Sequence, residues 1–198
     1  MCIRDRGATE MVENGWYYLQ NIGVGVNLTA NLTGPSITGM PQQKNDYSQL
    51  WYLSNVNGKY TIKNALNERY VIGVSGANQN YQTGTKQSTF AFNSTGDEYA
   101  PSFYIKDQSG VVMNINGGSK IALSWYEEDP ASKWYLVPAK VDETKLAEKR
   151  GNASELKTIS SYGSKYNEVL DKFFNDKART TLKDEYASLS DEALTKAL

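Results

Sequence analysis

GWYYLQN (residues 15–21) is echoed twice further along the chain, by GKYTIKN (58–64) and by SFYIKDQ (102–108). Tyr17, Tyr60 and Phe103 stand 43 residues apart, and so do Leu19, Ile62 and Ile105, and Asn21, Asn64 and Asp107. Within each stretch large apolar and polar residues alternate at period two, which predicts a half-buried strand. A second signal closes each unit: QLWYL (49–53), STFAF (88–92) and SKWYL (132–136). Trp51, Phe90 and Trp134 lie 39 and 44 residues apart, each followed two residues on by Leu53, Phe92 or Leu136. Grouping SFYI with the two WYL segments instead gives spacings of 52 and 31 and orphans the SFYIKDQ match, so it is rejected.

Between these ends lie second strands, VNLTA (26–30), YVIGV (70–74) and VMNI (112–115). Third strands are SITGM (36–40), a weak stretch near Tyr81, and KIALSWY (120–126). Turn residues separate them, among them Gly23, Gly34 and the run Asn116-Gly117-Gly118. One unit of about 43 residues and four short strands buries too little apolar surface to fold alone. Three such units, with their Tyr/Leu and Trp/Leu pairs aimed at a common axis, can share a core and close on themselves without exposed sheet edges. The expectation is an all-β, threefold closed barrel of twelve strands over residues 13–139, with Trp51, Phe90 and Trp134 as core plugs.

The ends of the units carry a resemblance. Gln49-Leu50-Trp51 matches the Gln-x-Trp signature of the ricin B-type lectin family; Ser88-Thr89-Phe90, with Gln87 one residue early, and Ser132-Lys133-Trp134 are weaker copies. The resemblance implies a β-trefoil and a shallow sugar pocket in one or more repeats. There a second-strand aspartate binds hydroxyls, an aromatic ring stacks on the sugar, and an Asn or Gln near the Trp motif assists. Amides and carboxylates suit paired hydroxyls, and an aromatic face packs against the C–H face of a pyranose. Carried onto this sequence, the aspartate position falls on Thr29, Gly73 and Asn114, none of them acidic. The third repeat is the richest candidate, with Asn114, Trp125, Tyr126 and Asp129, and with Glu127 and Glu128 beside them. Asp46, Tyr47 and Gln49 in the first repeat form a secondary candidate.

Composition excludes other chemistries. The chain has no histidine and one cysteine, Cys2, which removes imidazole-based metal sites, Ser-His-Asp triads and disulfides. No cofactor and no metal are expected. The adjacent acids Glu127, Glu128 and Asp129 cannot flank a glycosidic bond from opposite sides, so no enzyme is expected. A formal net charge of −1 gives no global field to draw nucleic acid, and no stretch reaches the ~20 apolar residues of a membrane span.

Composition shifts at Pro138. Residues 139–198 hold 22 of the 43 charged residues, whereas all four tryptophans and eleven of the fourteen tyrosines precede them. Residues 140–198 are expected to be α-helical, with breaks near Gly151 and Gly163 and a fresh helix starting at Ser190-Asp191-Glu192. At the other end, MCIRDR (1–6) resembles translated adapter sequence at the head of environmental reading frames, so residues 1–12 are read as a non-native head and linker, and the whole as a metagenomic fragment truncated at both ends. The expected function is a non-catalytic, glycan- or polysaccharide-binding module of a larger secreted bacterial protein, extracellular or at the cell surface, tethering a catalytic or surface domain carried elsewhere in that protein. The alternative is a β-trefoil scaffold for protein–protein contact with degenerate sugar pockets.

Overall fold

The computed structural model describes residues 12–97 and 100–160. Among them the first repeat supplies β1 (Gly15–Asn21), β2 (Asn27–Ala30), β3 (Ile37–Met40) and β4 (Leu50–Val56). The second supplies β5 (Lys59–Asn64), β6 (Tyr70–Ile72), β7 (Gln82–Gly84) and β8 (Ala91–Ser94). The third supplies β9 (Phe103–Lys106), β10 (Val112–Ile115), β11 (Ala122–Trp125) and β12 (Trp134–Ala139).

First and fourth strands build a closed ring. β1 pairs with β4, β4 with β5, β8 with β9, β9 with β12, and β12 returns to β1, all antiparallel. The remaining junction, β5 to β8, is made by Tyr60 and Phe90. Second and third strands form three hairpins, β2–β3, β6–β7 and β10–β11. Three bridges tie the hairpins to one another: Ser36–Gln82, Thr38–Ile121 and Asn80–Leu123.

The register shows the threefold relation residue by residue. Tyr17, Tyr60 and Phe103 face Trp51, Phe90 and Trp134, the closing aromatic of their own repeat. On their other side the same three face Pro138, Asn55 and Ser94, each four residues beyond the closing aromatic of the preceding repeat. Leu19, Ile62 and Ile105 likewise face Leu136, Leu53 and Phe92. The 43-residue period is thus a period of the barrel.

Among the aromatic, leucine and isoleucine residues of this register Tyr17 and Leu136 are half-buried and the others buried, and Trp51, Phe90 and Trp134 have no exposed surface. The two indoles also find partners. Trp51 Nε1 donates to the carbonyl of Leu28 at 2.9 Å, and Trp134 Nε1 to that of Met113 at 2.9 Å, so each plug is fastened to its repeat's second strand. Phe90 has no such donor. The polar residues ending the first strands act alike: Asn21 Nδ2 donates to the carbonyl of Ala131 and Asn64 Nδ2 to that of Ser48, each three residues before a tryptophan. Asp107, at the third such position, carries no amide; its Oδ2 instead accepts from the backbone N–H of Val74 at 2.8 Å.

The compact β unit ends at Lys140. The helix α1 (Glu143–Ser160) follows, its N-terminus capped by Asp142, whose Oδ1 accepts from the N–H groups of Thr144 and Lys145. α1 runs through Gly151, where the sequence predicted a break. A mid-helix glycine costs only about 1 kcal/mol relative to alanine, and its strong helix-forming neighbours carry the turn through it. The predicted break at Gly163 and the helix start at Ser190 lie outside the described residues.

Candidate functional site

In the third repeat the hairpin β10–β11 sets the geometry. Met113 and Ile115 join the core, so strand alternation turns Val112 and Asn114 to the other face. Asn114 faces Leu123, and Val112 faces Trp125. Asn114 is buried, and its Nδ2 donates to Ser132 Oγ at 3.0 Å; Ser132 Oγ in turn donates to the carbonyl of Tyr126 at 2.7 Å. Asn114 therefore lies beneath the rim, fixing the segment that carries Tyr126. The candidate Asn114 thus spends its amide on the protein's own Ser132.

The other third-repeat candidates are more open. Tyr126 is 51% exposed, and its ring centre lies 5.3 Å from that of half-buried Trp125 with the planes tilted 58°. Asp129 caps the short 3-10 turn Pro130–Ser132, accepting from the N–H of Ala131 through Oδ1 at 2.8 Å. Glu127 and Glu128 are exposed, and Glu127 lies 3.6 Å from Lys106 Nζ, a surface pair of little energetic weight. The structure thus brings Trp125, Tyr126 and the 127–129 acids into one loop, above Asn114.

In the first repeat the secondary candidates are engaged internally. Asp46 caps the 3-10 turn Tyr47–Gln49 through Ser48, and Tyr47 is buried. Gln49 Oε1 accepts from Asn27 Nδ2 at 2.9 Å and from the N–H of Gln43 at 3.2 Å, while its Nε2 donates to the carbonyl of Pro41 at 2.8 Å. The glutamine of the Gln-x-Trp motif is a clamp on the 41–43 segment.

Asn27 is the residue that sequence reasoning missed. Gln20, Lys63 and Lys106, spaced by 43, face Asn27, Tyr70 and Val112. Two residues on, the equivalent positions are Thr29, Ile72 and Asn114, so Ile72 stands where Gly73 was expected. Thr29 spends its hydroxyl on the carbonyl of Asn27, and Asn27 is the second-strand side chain that reaches the motif. Gly73 has another role: its N–H donates to Ser88 Oγ, and a Cβ there would stand 3.2 Å from Asp107 Oδ2.

Beside Asn27 opens a cleft of about 450 Å3 on the outer side of the β1–β12 seam, bounded by Tyr18, Gln20, the 42–45 loop and residues 137–140. Tyr18 is half-buried, and desolvation, with Tyr47 and Asp46 nearby, raises its phenol above the usual tyrosine range. No group of three or more acidic, Cys or His side chains able to hold a metal occurs among the described residues, and no described helix is long and apolar enough to cross a membrane.

No protein-family model matches the chain, and no curated protein matches it in sequence. Solved structures do. The Rhizoctonia solani agglutinin superposes with a TM-score of 0.54 at 19% identity, over 67% of this chain and 100% of that one. A ricin B-like lectin of Macrolepiota procera, solved in complex with lactose, gives a TM-score of 0.57 at 16% identity, over 66% and 100%. An exo-β-1,3-galactanase from Clostridium thermocellum gives 0.55 at 19% identity, over 66% of this chain but 31% of the galactanase. Taken with the three four-strand units and their shared register, these likenesses identify the fold as a β-trefoil, the fold of these lectins.

Proposed function

We propose that this trefoil is a non-catalytic carbohydrate-binding module whose ligand is met at the third-repeat rim. The observation that carries the reading is the aromatic pair Trp125–Tyr126, with Tyr126 half in solvent, set in one loop with Asp129. Tyr126 offers a stacking face, and Asp129 Oδ2, with no partner among the described residues, accepts from a ring hydroxyl. Asn114, through Ser132, positions Tyr126 without touching ligand. One stacking contact and one or two hydrogen bonds, each worth about 1 kcal/mol net, give weak monovalent affinity. Such weakness suits a module that concentrates a tethered partner on a polymeric glycan. An extracellular or cell-surface setting, in a larger bacterial protein whose other domain is catalytic or surface-anchoring, belongs to the same proposal; the two lectins and the galactanase among the structural likenesses support it.

A trefoil kept as a protein-binding scaffold is the second reading. It is favoured by the internal use of both amides, Asn27 on Gln49 and Asn114 on Ser132. A glycan array probed with the full chain separates the two. Retention on a defined set of neutral glycans, lost in Tyr126→Ala with the fold intact, supports the module; silence across the array supports the scaffold.

A further inference from the structure

The cleft on the β1–β12 seam shares no lining residue with the third-repeat rim, and its lining has a distinct chemistry. Tyr18 forms one wall with Gln20, and Gln43, Lys44 and Asn45 form the opposite loop; Lys140 stands at the end. Asn27 and Gln42 add two further amides, so five amide side chains and two ammonium groups border one space, with no carboxylate among them. The polar ends of Gln20, Gln43, Lys44, Asn45 and Lys140 have no partner among the described residues. Asp46, next along the chain, turns its carboxylate back onto Ser48.

Two observations make this a prepared site. Its volume of about 450 Å3 falls in the range of small-molecule pockets. Its 42–45 loop is held from below: Gln49 grips the 41–43 backbone through Pro41 and Gln43, and Asn45 takes a left-handed conformation (φ 69°) that turns the loop. A loop fixed in advance spares a ligand the entropy of ordering it.

We propose that this cleft binds an anionic sugar, independently of the third-repeat rim. Amides both donate and accept, which matches ring hydroxyls; half-buried Tyr18 gives the ring an apolar wall; and Lys44 and Lys140 supply two positive charges where nothing in the lining opposes them. The anion is a uronate carboxylate or a sulfate ester, which present the same acceptor oxygens to an ammonium group. Because the chain's net charge is only −1, any salt dependence reports the local lysine pair.

The experiment is an NMR titration of the full chain with three probes: digalacturonate, its neutral methyl ester, and a monosulfated galactose disaccharide. The expected result is shifts at Gln20, Gln43 and Lys44 with at least one acidic probe, and binding of the neutral ester weaker by about tenfold or more. The double variant Lys44→Gln/Lys140→Gln, with an unchanged melting temperature, loses a similar factor, whereas Tyr126→Ala loses none. Which acidic probe binds more tightly identifies the carboxylate or the sulfate as the partner. Binding of neither acidic probe, equal binding of the ester, or loss on Tyr126→Ala with retention in the lysine variant overturns the proposal; the last outcome would leave the third-repeat reading standing.

Discussion

Tyr60 and Phe90 exchange both backbone hydrogen bonds, N–H to carbonyl in each direction at 2.8 Å. Among the described residues this single bridge is the one backbone pairing at the β5–β8 junction, whereas the corresponding first-repeat junction between β1 and β4 spans four residue pairs. The second repeat is therefore closed less by its ladder than by side chains. Tyr60 meets Phe92 edge-on at 5.4 Å, and Phe90 meets Tyr81 at 6.0 Å.

Phe90→Ala removes the plug from a repeat whose first and fourth strands share a single backbone bridge. A loss of about 3–5 kcal/mol is expected, as for other buried aromatic truncations, read by chemical denaturation. Tyr60→Phe, which deletes only the hydrogen bond from Tyr60 Oη to the carbonyl of Val12, should cost about 1 kcal/mol.

Trp134→Phe keeps an aromatic ring in the core but leaves the Met113 carbonyl without the indole donor. A cost of about 1–3 kcal/mol is expected for the unmade bond. The test is the comparison with Trp51→Phe, which breaks the equivalent bond to Leu28: the two variants should shift the denaturation midpoint by similar amounts.

At the third-repeat rim, ligand contact and support should separate. Tyr126→Ala is expected to abolish glycan retention with an unchanged melting temperature. Asn114→Ala should lower stability by about 1–3 kcal/mol, because it strips a buried partner from Ser132, and should weaken retention as a secondary effect. Calorimetry beside an affinity column measures both.

Tyr81 gives a pH signature. Its side chain is buried, and burial, then the charge of nearby Asp107, pushes its phenol well above the ordinary value of 10.0. The folded state holds this proton more tightly than the unfolded chain, so its contribution to stability is complete below the unfolded value and falls as pH rises beyond it. Denaturation midpoints should decline above about pH 10, and Tyr81→Phe should flatten that decline.

Ending the chain after Lys140 should leave the trefoil folded with a near-wild-type melting temperature, since β12 already completes the ring against β1. A large loss of cooperativity in the thermal transition would place part of 141–198 inside the domain.

Much of this barrel could be read from residue spacing because its first strands are in strict register. Tyr17, Tyr60 and Phe103 occupy equivalent inward positions, and inward positions tolerate only large apolar side chains, so the period survives in the sequence. The hairpins obey no such period. The β2–β3 and β10–β11 connections cover residues 31–36 and 116–121, but the β6–β7 connection covers 73–81; the 43-residue step from Thr29 reaches Ile72, and Gly73 already lies in that longer connection. Asn27 was missed for a different reason. It shares a face with Thr29, and alternation cannot tell which of two same-face residues meets Gln49. The burial of Asn114 is not legible from alternation, since it depends on Ser132, 18 residues away.

The pairing of β1 with β12 over six residues, from Trp16–Ala139 to Asn21–Trp134, has a consequence for how the domain can be rewired. With the first and last strands of the trefoil neighbours on one seam, a short linker could join their ends, and a new break could be opened at the β4–β5 turn, where Asn57 and Gly58 both hold positive φ. Such a circular permutant would begin at Lys59 and keep every core contact, and for the same reason the unmodified domain could be spliced into a surface loop of a host protein without pulling that loop apart.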